Sequence, residues 1–172
     1  VEKDEDELTS AVTDILCKHK TYSIAKIREA SNKEKDIKWQ MALISIYSQT
    51  NEYEKVIQEY NALEKEYGHD EVIYYQRADC YDELGMVQTA LSEINKAIEI
   101  NGDYSNYSML GQIYRGAGMY EEAIKAFDKV IELLPTNAWG YYVKGWCYEL
   151  SGDDDNAMKL YEEGIDIDKE YP

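Results

Sequence analysis

Apolar residues recur along this chain at steps of three and four, the period of a helix with one buried face. Between 104 and 137 they fall at Tyr107, Leu110 and Tyr114, then, past a break at Gly118, at Ala123, Phe127 and Val130. Gly118 suits the left-handed turn that closes a helix. Glu121 and Glu122 follow it, where a helix N-terminus favours negative charge. Pro135 stands where the second helix has to stop. The stretch predicts two helices joined by a tight turn.

The pattern then repeats. "YEEAIKAFDKVIEL" (120–133) aligns on "VQTALSEINKAIEI" (87–100), with Ala123 over Ala90 and Ile131 over Ile98, and "DDNAMKLYEEGIDI" (154–167) brings Ala157 into the same column. Gly85, Gly118 and Gly152 are 33 and 34 residues apart. A further copy at 40–63 matches through Tyr47, Tyr53 and Tyr60. The expected units are 37–70, 71–103, 104–137 and 138–172. A shorter, divergent copy spans 6–36, with Leu8, Val12, Ile15 and Leu16 on one face and Tyr22 and Ala25 in its second helix, and residues 1–5 read as a disordered tail. No single unit can bury its apolar face alone, so the units must stack into one continuous all-α solenoid.

A helix–turn–helix unit of this length resembles the tetratricopeptide repeat. The resemblance rests on Tyr107, Leu110, Gly111, Tyr114, Gly118, Tyr120, Ala123, Phe127 and Pro135 in one copy, and on Tyr141, Gly145, Tyr148, Gly152, Ala157 and Tyr161 in the next. There Lys144 replaces the family's Leu and Gly164 its Ala. Tyr74, Ala78, Tyr81, Gly85, Ala90 and Ala97 carry it in 71–103; Leu43, Tyr47, Tyr53 and Tyr60 carry it in 37–70, where Ile44 and Val56 stand at small-residue positions. The resemblance implies a right-handed superhelix whose concave groove, lined by the first helix of each pair, binds peptides or partner segments.

Composition narrows the partners. The 172 residues carry a net charge of −17, with −5 in residues 1–70 and −12 in 71–172. Nucleic-acid backbones and anionic membranes require the opposite sign. No run of about 18 apolar residues is present for membrane insertion. Two prolines and ten glycines permit long helices and argue against a strand-and-turn sandwich. Tyr is abundant at 17 against a single Phe, which suits packing by rings with one wet end. Cys17, Cys80 and Cys147 form no CxxC pair and read as buried reduced thiols, with Cys80 and Cys147 in one small-residue column. That usage favours a cytoplasmic setting, although the chain starts at Val1 without Met and a removed signal is left open.

Chemistry is sparse. His19 and His69 are fifty residues apart and read as solvated helix-end residues. No metalloprotease, nucleophile-elbow, dinucleotide or phosphate-loop motif appears, so no enzyme, cofactor or metal site is expected. "GDDDN" (152–156) lacks the later Gly and Glu of a calcium loop and reads as a helix start. Asn106-Tyr107-Ser108 matches a glycosylation sequon inside a helix. The family's carboxylate clamp for chaperone tails needs cations from successive first helices. The matching positions hold residues such as Gln76, Met109 and Val143, or the acidic Asp79, so that ligand is disfavoured.

The groove reading places Tyr75, Asp79, Asp82 and Glu83 in its middle, Gln112 and Arg115 beside them, and Trp139, Tyr142, Trp146 and Glu149 at its C-terminal end. Trp139, Tyr142 and Trp146 share one face at i, i+3, i+7, while Tyr141 and Tyr148 occupy core columns. Acidic and aromatic positions together suit a basic peptide with an apolar anchor. The function expected is therefore non-catalytic protein interaction. The alternative is a structural, oligomerising or regulatory segment that self-associates through exposed solenoid ends.

Overall fold

The computed structural model describes residues 19–31 and 36–170. The predicted tail at 1–5, most of the first helix of the divergent copy, and Cys17 lie outside the described residues. Among those described there are helices and turns only. Helix α1 covers 19–31. It is followed by α2 (Ile37–Gln49), α3 (Tyr53–Tyr67), α4 (Glu71–Glu83), α5 (Val87–Ile100), α6 (Tyr104–Gly116), α7 (Tyr120–Leu133), α8 (Ala138–Ser151) and α9 (Asp154–Glu170). The chain divides into two compact units, Val1–Gly68 and His69–Pro172.

Two backbone devices recur and set the helix boundaries. Asp36, Asp70, Asp103 and Asn137 sit just before α2, α4, α6 and α8, each accepting a backbone N–H two or three residues on. Each satisfies a donor that the first turn leaves unpaired. Between the helices of each pair one residue takes a left-handed conformation: Asn51 (φ 53°), Gly85 (70°), Gly118 (74°) and Gly152 (86°). Asn is the side chain that best tolerates this region after Gly, so Asn51 does in the first pair what glycine does in the other three.

In the first unit α2 packs on α3 and buries Leu43, Ile44 and Tyr47 against Val56, Ile57, Tyr60 and Leu63. The larger Ile44 and Val56 are thus accommodated in full burial. From α1, Arg28 donates to the Tyr47 hydroxyl at 3.3 Å and Lys20 to Thr50 Oγ1 at 2.9 Å.

In the second unit α4 packs on α5, α6 on α7 and α8 on α9, with α5 against α6 and α7 against α8. Tyr74, Ala78, Ala90, Leu91, Ile94, Ala97, Met109, Leu110, Ile113 and Ala126 make one cluster. Ala123, Phe127, Val130 and Cys147 make the next. Gly111 is required by close approach: a Cβ there would lie 2.6 Å from the Phe127 ring, and at Gly145 one would lie 2.8 Å from Tyr161. Large rings of the second helix thus press on glycines of the first.

Two polar groups that the periodicity treats as surface lie inside. Arg77 donates through Nε to Glu93 Oε2 at 2.7 Å, with both residues buried, and Lys96 reaches Glu93 Oε1 at 2.6 Å. Asn106 is fully buried, donating to Glu71 Oε1 at 2.8 Å and to the Asn101 carbonyl at 2.7 Å. Its sequon is therefore occupied by structure. Cys80 and Cys147 are buried free thiols, Cys80 pushed up to about 12 by burial and by Asp79 and Glu83. His69 is exposed between α3 and α4, as expected, and its ring also stacks on Tyr74 at 5.9 Å and bonds the tyrosine hydroxyl.

Candidate functional site

All ten candidate groove residues belong to the second unit, on the first helices α4, α6 and α8. On α4, Asp79, Asp82 and Glu83 occupy consecutive turns of one face. Burial, then the charges of Glu83 and Asp82, hold the Asp79 carboxyl above its ordinary range. Asp82 is raised by burial and Glu83, and pulled back by the Arg115 cation on α6. Tyr75 is half-buried, and its hydroxyl is raised by burial and by the charge of Asp79. Asp79 and Asp82 are therefore half-buried carboxylates under the charge of the exposed Glu83, with the Arg115 cation acting on Asp82.

That cation is shared. The Arg115 guanidinium lies 4.1 Å from the centre of the Trp146 ring, a stacked cation–π contact joining α6 to α8. Its Nε is buried without a hydrogen-bond partner. Trp146 remains 44% exposed. Arg115 thus touches Trp146 of α8 and acts on Asp82 of α4 through its charge, and Gln112 is half-buried on α6 one turn before it.

The other aromatic candidates are not brought together. Trp139 sets its ring edge-on to Phe127 of α7, centroids 6.0 Å apart and 84° between planes. Tyr142 turns to α9: its ring covers Gly164, where a Cβ would lie 2.5 Å away, and its hydroxyl donates to Asp168 Oδ2 at 2.7 Å. Glu149 also faces α9, accepting from the Tyr161 hydroxyl at 2.6 Å. The i, i+3, i+7 stripe expected of Trp139, Tyr142 and Trp146 is therefore split. Shared spacing fixes a helix face, but neighbouring helices on either side decide which way each long ring leans. Tyr141, expected in a core column, is half-buried and donates to the Pro135 carbonyl at 3.2 Å.

Sequence reasoning missed Lys144 as a structural group. In the leucine column it reaches Asp128 Oδ1 on α7 at 2.6 Å. Among the described residues no group of three or more His, Cys, Asp or Glu is arranged to hold a metal ion, and no helix is long and apolar enough to cross a membrane.

Comparison with known proteins agrees with this architecture. Residues 103–170 match one tetratricopeptide-repeat model and residues 72–104 another, together more than half of the chain. A crystal structure of MamA superposes with a TM-score of 0.73 at 20% identity, over 91% of this chain and 95% of that one. MamA from Desulfovibrio magneticus RS-1 does so at 0.74 and 14% identity, over 92% and 94%. YrrB, described as a TPR protein with an unusual peptide-binding site, matches at 0.69 and 19% identity, over 96% and 84%.

Proposed function

The chain belongs to the tetratricopeptide-repeat family and has its all-α solenoid fold, and from that membership we propose a non-catalytic protein-interaction module that binds a basic peptide or partner segment on the α4–α6–α8 face. The observation that carries the reading is the acidic pair Asp79 and Asp82, both raised by burial and neighbouring carboxylates, beside the Arg115–Trp146 stack. An incoming Lys or Arg would relieve the repulsion among the carboxylates, and an apolar residue next to it would cover the exposed Trp146 ring. The peptide-binding site named for YrrB supports this by analogy of fold alone. Tyr142 and Glu149, turned to α9, have no part in this surface; Trp139 lies at its margin.

The test is peptide selection from a random display library against the intact chain. Enriched sequences are expected to carry Arg or Lys beside a Leu or aromatic residue. The paired change Asp79→Asn with Asp82→Asn, and separately Trp146→Ala, should each weaken the best peptide about tenfold or more at unchanged helicity. Selection of acidic peptides, or affinity that both variants leave intact, would sink the proposal.

A further inference from the structure

The three helix pairs of the second unit fill one equivalent place in three ways. In α4–α5 it is filled by charge. Buried Arg77 donates to Glu93 Oε2 at 2.7 Å, and Lys96 reaches Oε1 of the same buried carboxylate at 2.6 Å. Both cations lie over the Tyr74 ring, at 5.0 and 5.3 Å. In α6–α7 the corresponding residues, 33 positions on, are Leu110 for Arg77, Ala126 for Glu93, Lys129 for Lys96 and Tyr107 for Tyr74. In α8–α9, a further 34 on, Leu160 fills the place of Ala126, and Lys144, in the place of Leu110, pairs with Asp128. The middle pair thus keeps the cation and the ring but has the smallest side chain where its neighbours have Glu and Leu. Position 126 offers Lys129 no carboxylate, so its ammonium turns along the helix to the exposed Glu132 at 2.6 Å. At this place there is a cavity of ≈ 210 Å³ lined by Tyr107, Leu110 and Tyr114 of α6 and by Lys125, Ala126 and Lys129 of α7.

We infer that this cavity is a binding site for a small apolar monocarboxylate, whose carboxylate takes the part that Glu93 plays in the preceding pair. The anion pairs with Lys129 and Lys125, and the hydrocarbon body lies on Leu110 and Ala126 against the two tyrosines. The α4–α5 pair supplies the template: Glu93 carries its carboxylate to Lys96 from a backbone position where α7 has only a methyl group. A separate molecule bringing a carboxylate on a short apolar stem restores that contact. Each lining group suits this ligand. Lys125 and Lys129 are one turn apart on one wall, so both ammonium groups can reach a single carboxylate, and their aliphatic stems add to the apolar lining. The pair Lys129–Glu132 is exposed, and an ion pair of that kind yields readily to a competing anion. Apolar walls with a few charged groups at one side fix both the body and the orientation of a small ligand. The charge count selects one carboxylate and not two: Glu122 lines the same cavity one turn before Lys125, and the chain carries −17 overall. The site uses the α6–α7 interface and is distinct from the α4–α6–α8 face.

The probe is 4-methylpentanoate, titrated into the isotope-labelled intact chain and followed by amide chemical shifts. Shifts should concentrate in α6 and α7, and the uncharged 4-methylpentanamide should bind about tenfold more weakly. Lys125→Gln with Lys129→Gln should cost a similar factor, and because both lysines are exposed the melting temperature should barely move. Leu110→Arg with Ala126→Glu rebuilds the α4–α5 arrangement from within and should remove binding; should that variant fail to fold, the lysine pair decides alone. The Asp79→Asn, Asp82→Asn protein should bind the probe as the parent does, which separates this site from the groove. No binding, equal binding of acid and amide, or affinity that the lysine pair leaves intact would overturn the assignment. So would tighter binding of the peptide acetyl-Ala-Ala-Leu with a free carboxyl group, because the ligand would then be a peptide end and not a small acid.

Discussion

At the residue scale, size is exchanged between two columns. In the α6–α7 pair the columns hold Ser108 and Val130; 34 residues on they hold Tyr142 and Gly164. The large ring in the first helix is possible because the second gives up its side chain: a Cβ on Gly164 would lie 2.5 Å from the Tyr142 ring. Gly164→Val should therefore cost about 1–3 kcal/mol by overpacking, read as a fall in denaturation midpoint. Adding Tyr142→Ser should recover part of that loss, since the pair then resembles Ser108–Val130. A double variant no better than Gly164→Val alone would show that the two side chains are not coupled. The departure of Gly164 from the repeat pattern was visible in the sequence; its partner was not. A column describes one helix, whereas the compensating change sits on the other. For the same reason Trp139, Tyr142 and Trp146 could be placed on a helix but not assigned to a common surface. Arg77 and Glu93 were hidden by their polarity, which periodicity reads as exposed until a paired, buried geometry is seen.

At the element scale, helix starts and turns were the most legible features where glycine marked them and the least where another residue took the same role. Gly85, Gly118 and Gly152 announced their turns; Asn51 did not, although its φ of 53° places it with them. The acidic residues after the turns suit the dipoles of the second helices. The more regular signal lies before the first helices, in Asp36, Asp70, Asp103 and Asn137. Asp103 accepts from the Asn106 backbone N–H at 3.0 Å. Asp103→Ala should cost about 1 kcal/mol of stability and Asp103→Ser much less, because a hydroxyl can take the same bond. Equal loss in the two variants would mean that the charge acting on neighbouring groups, and not the cap, is what matters. α6 also carries the buried Asn106 and the exposed Arg115–Trp146 contact, so hydrogen exchange of its first turn in Asp103→Ala would report whether the cap steadies the site as well.

At the scale of the whole molecule, the charge of −17 predicts that stability and the proposed peptide binding respond to pH in opposite directions. Asp79 and Asp82 have folded-state values above the ordinary carboxylate range, through burial first and neighbouring carboxylates second. The unfolded chain ionises such groups more readily, so near neutral pH their ionisation opposes folding. That cost shrinks as pH falls through the raised folded-state values and is gone below the unfolded ones. The melting temperature should accordingly rise as pH is lowered from neutral toward the range in which these carboxyls take up protons, at low salt. Asp79→Asn should be more stable than the parent at pH 7, with the difference closing on acidification and shrinking in high salt. A bound basic peptide demands the opposite: it needs the carboxylates charged, so its affinity should fall over the same interval in which the free protein becomes more stable. The two curves test different things. If stability rises and affinity falls together, and Asp79→Asn flattens both, one cluster governs folding and recognition. If Asp79→Asn flattens the stability curve alone, the peptide is held elsewhere and the acidic face is only a source of strain.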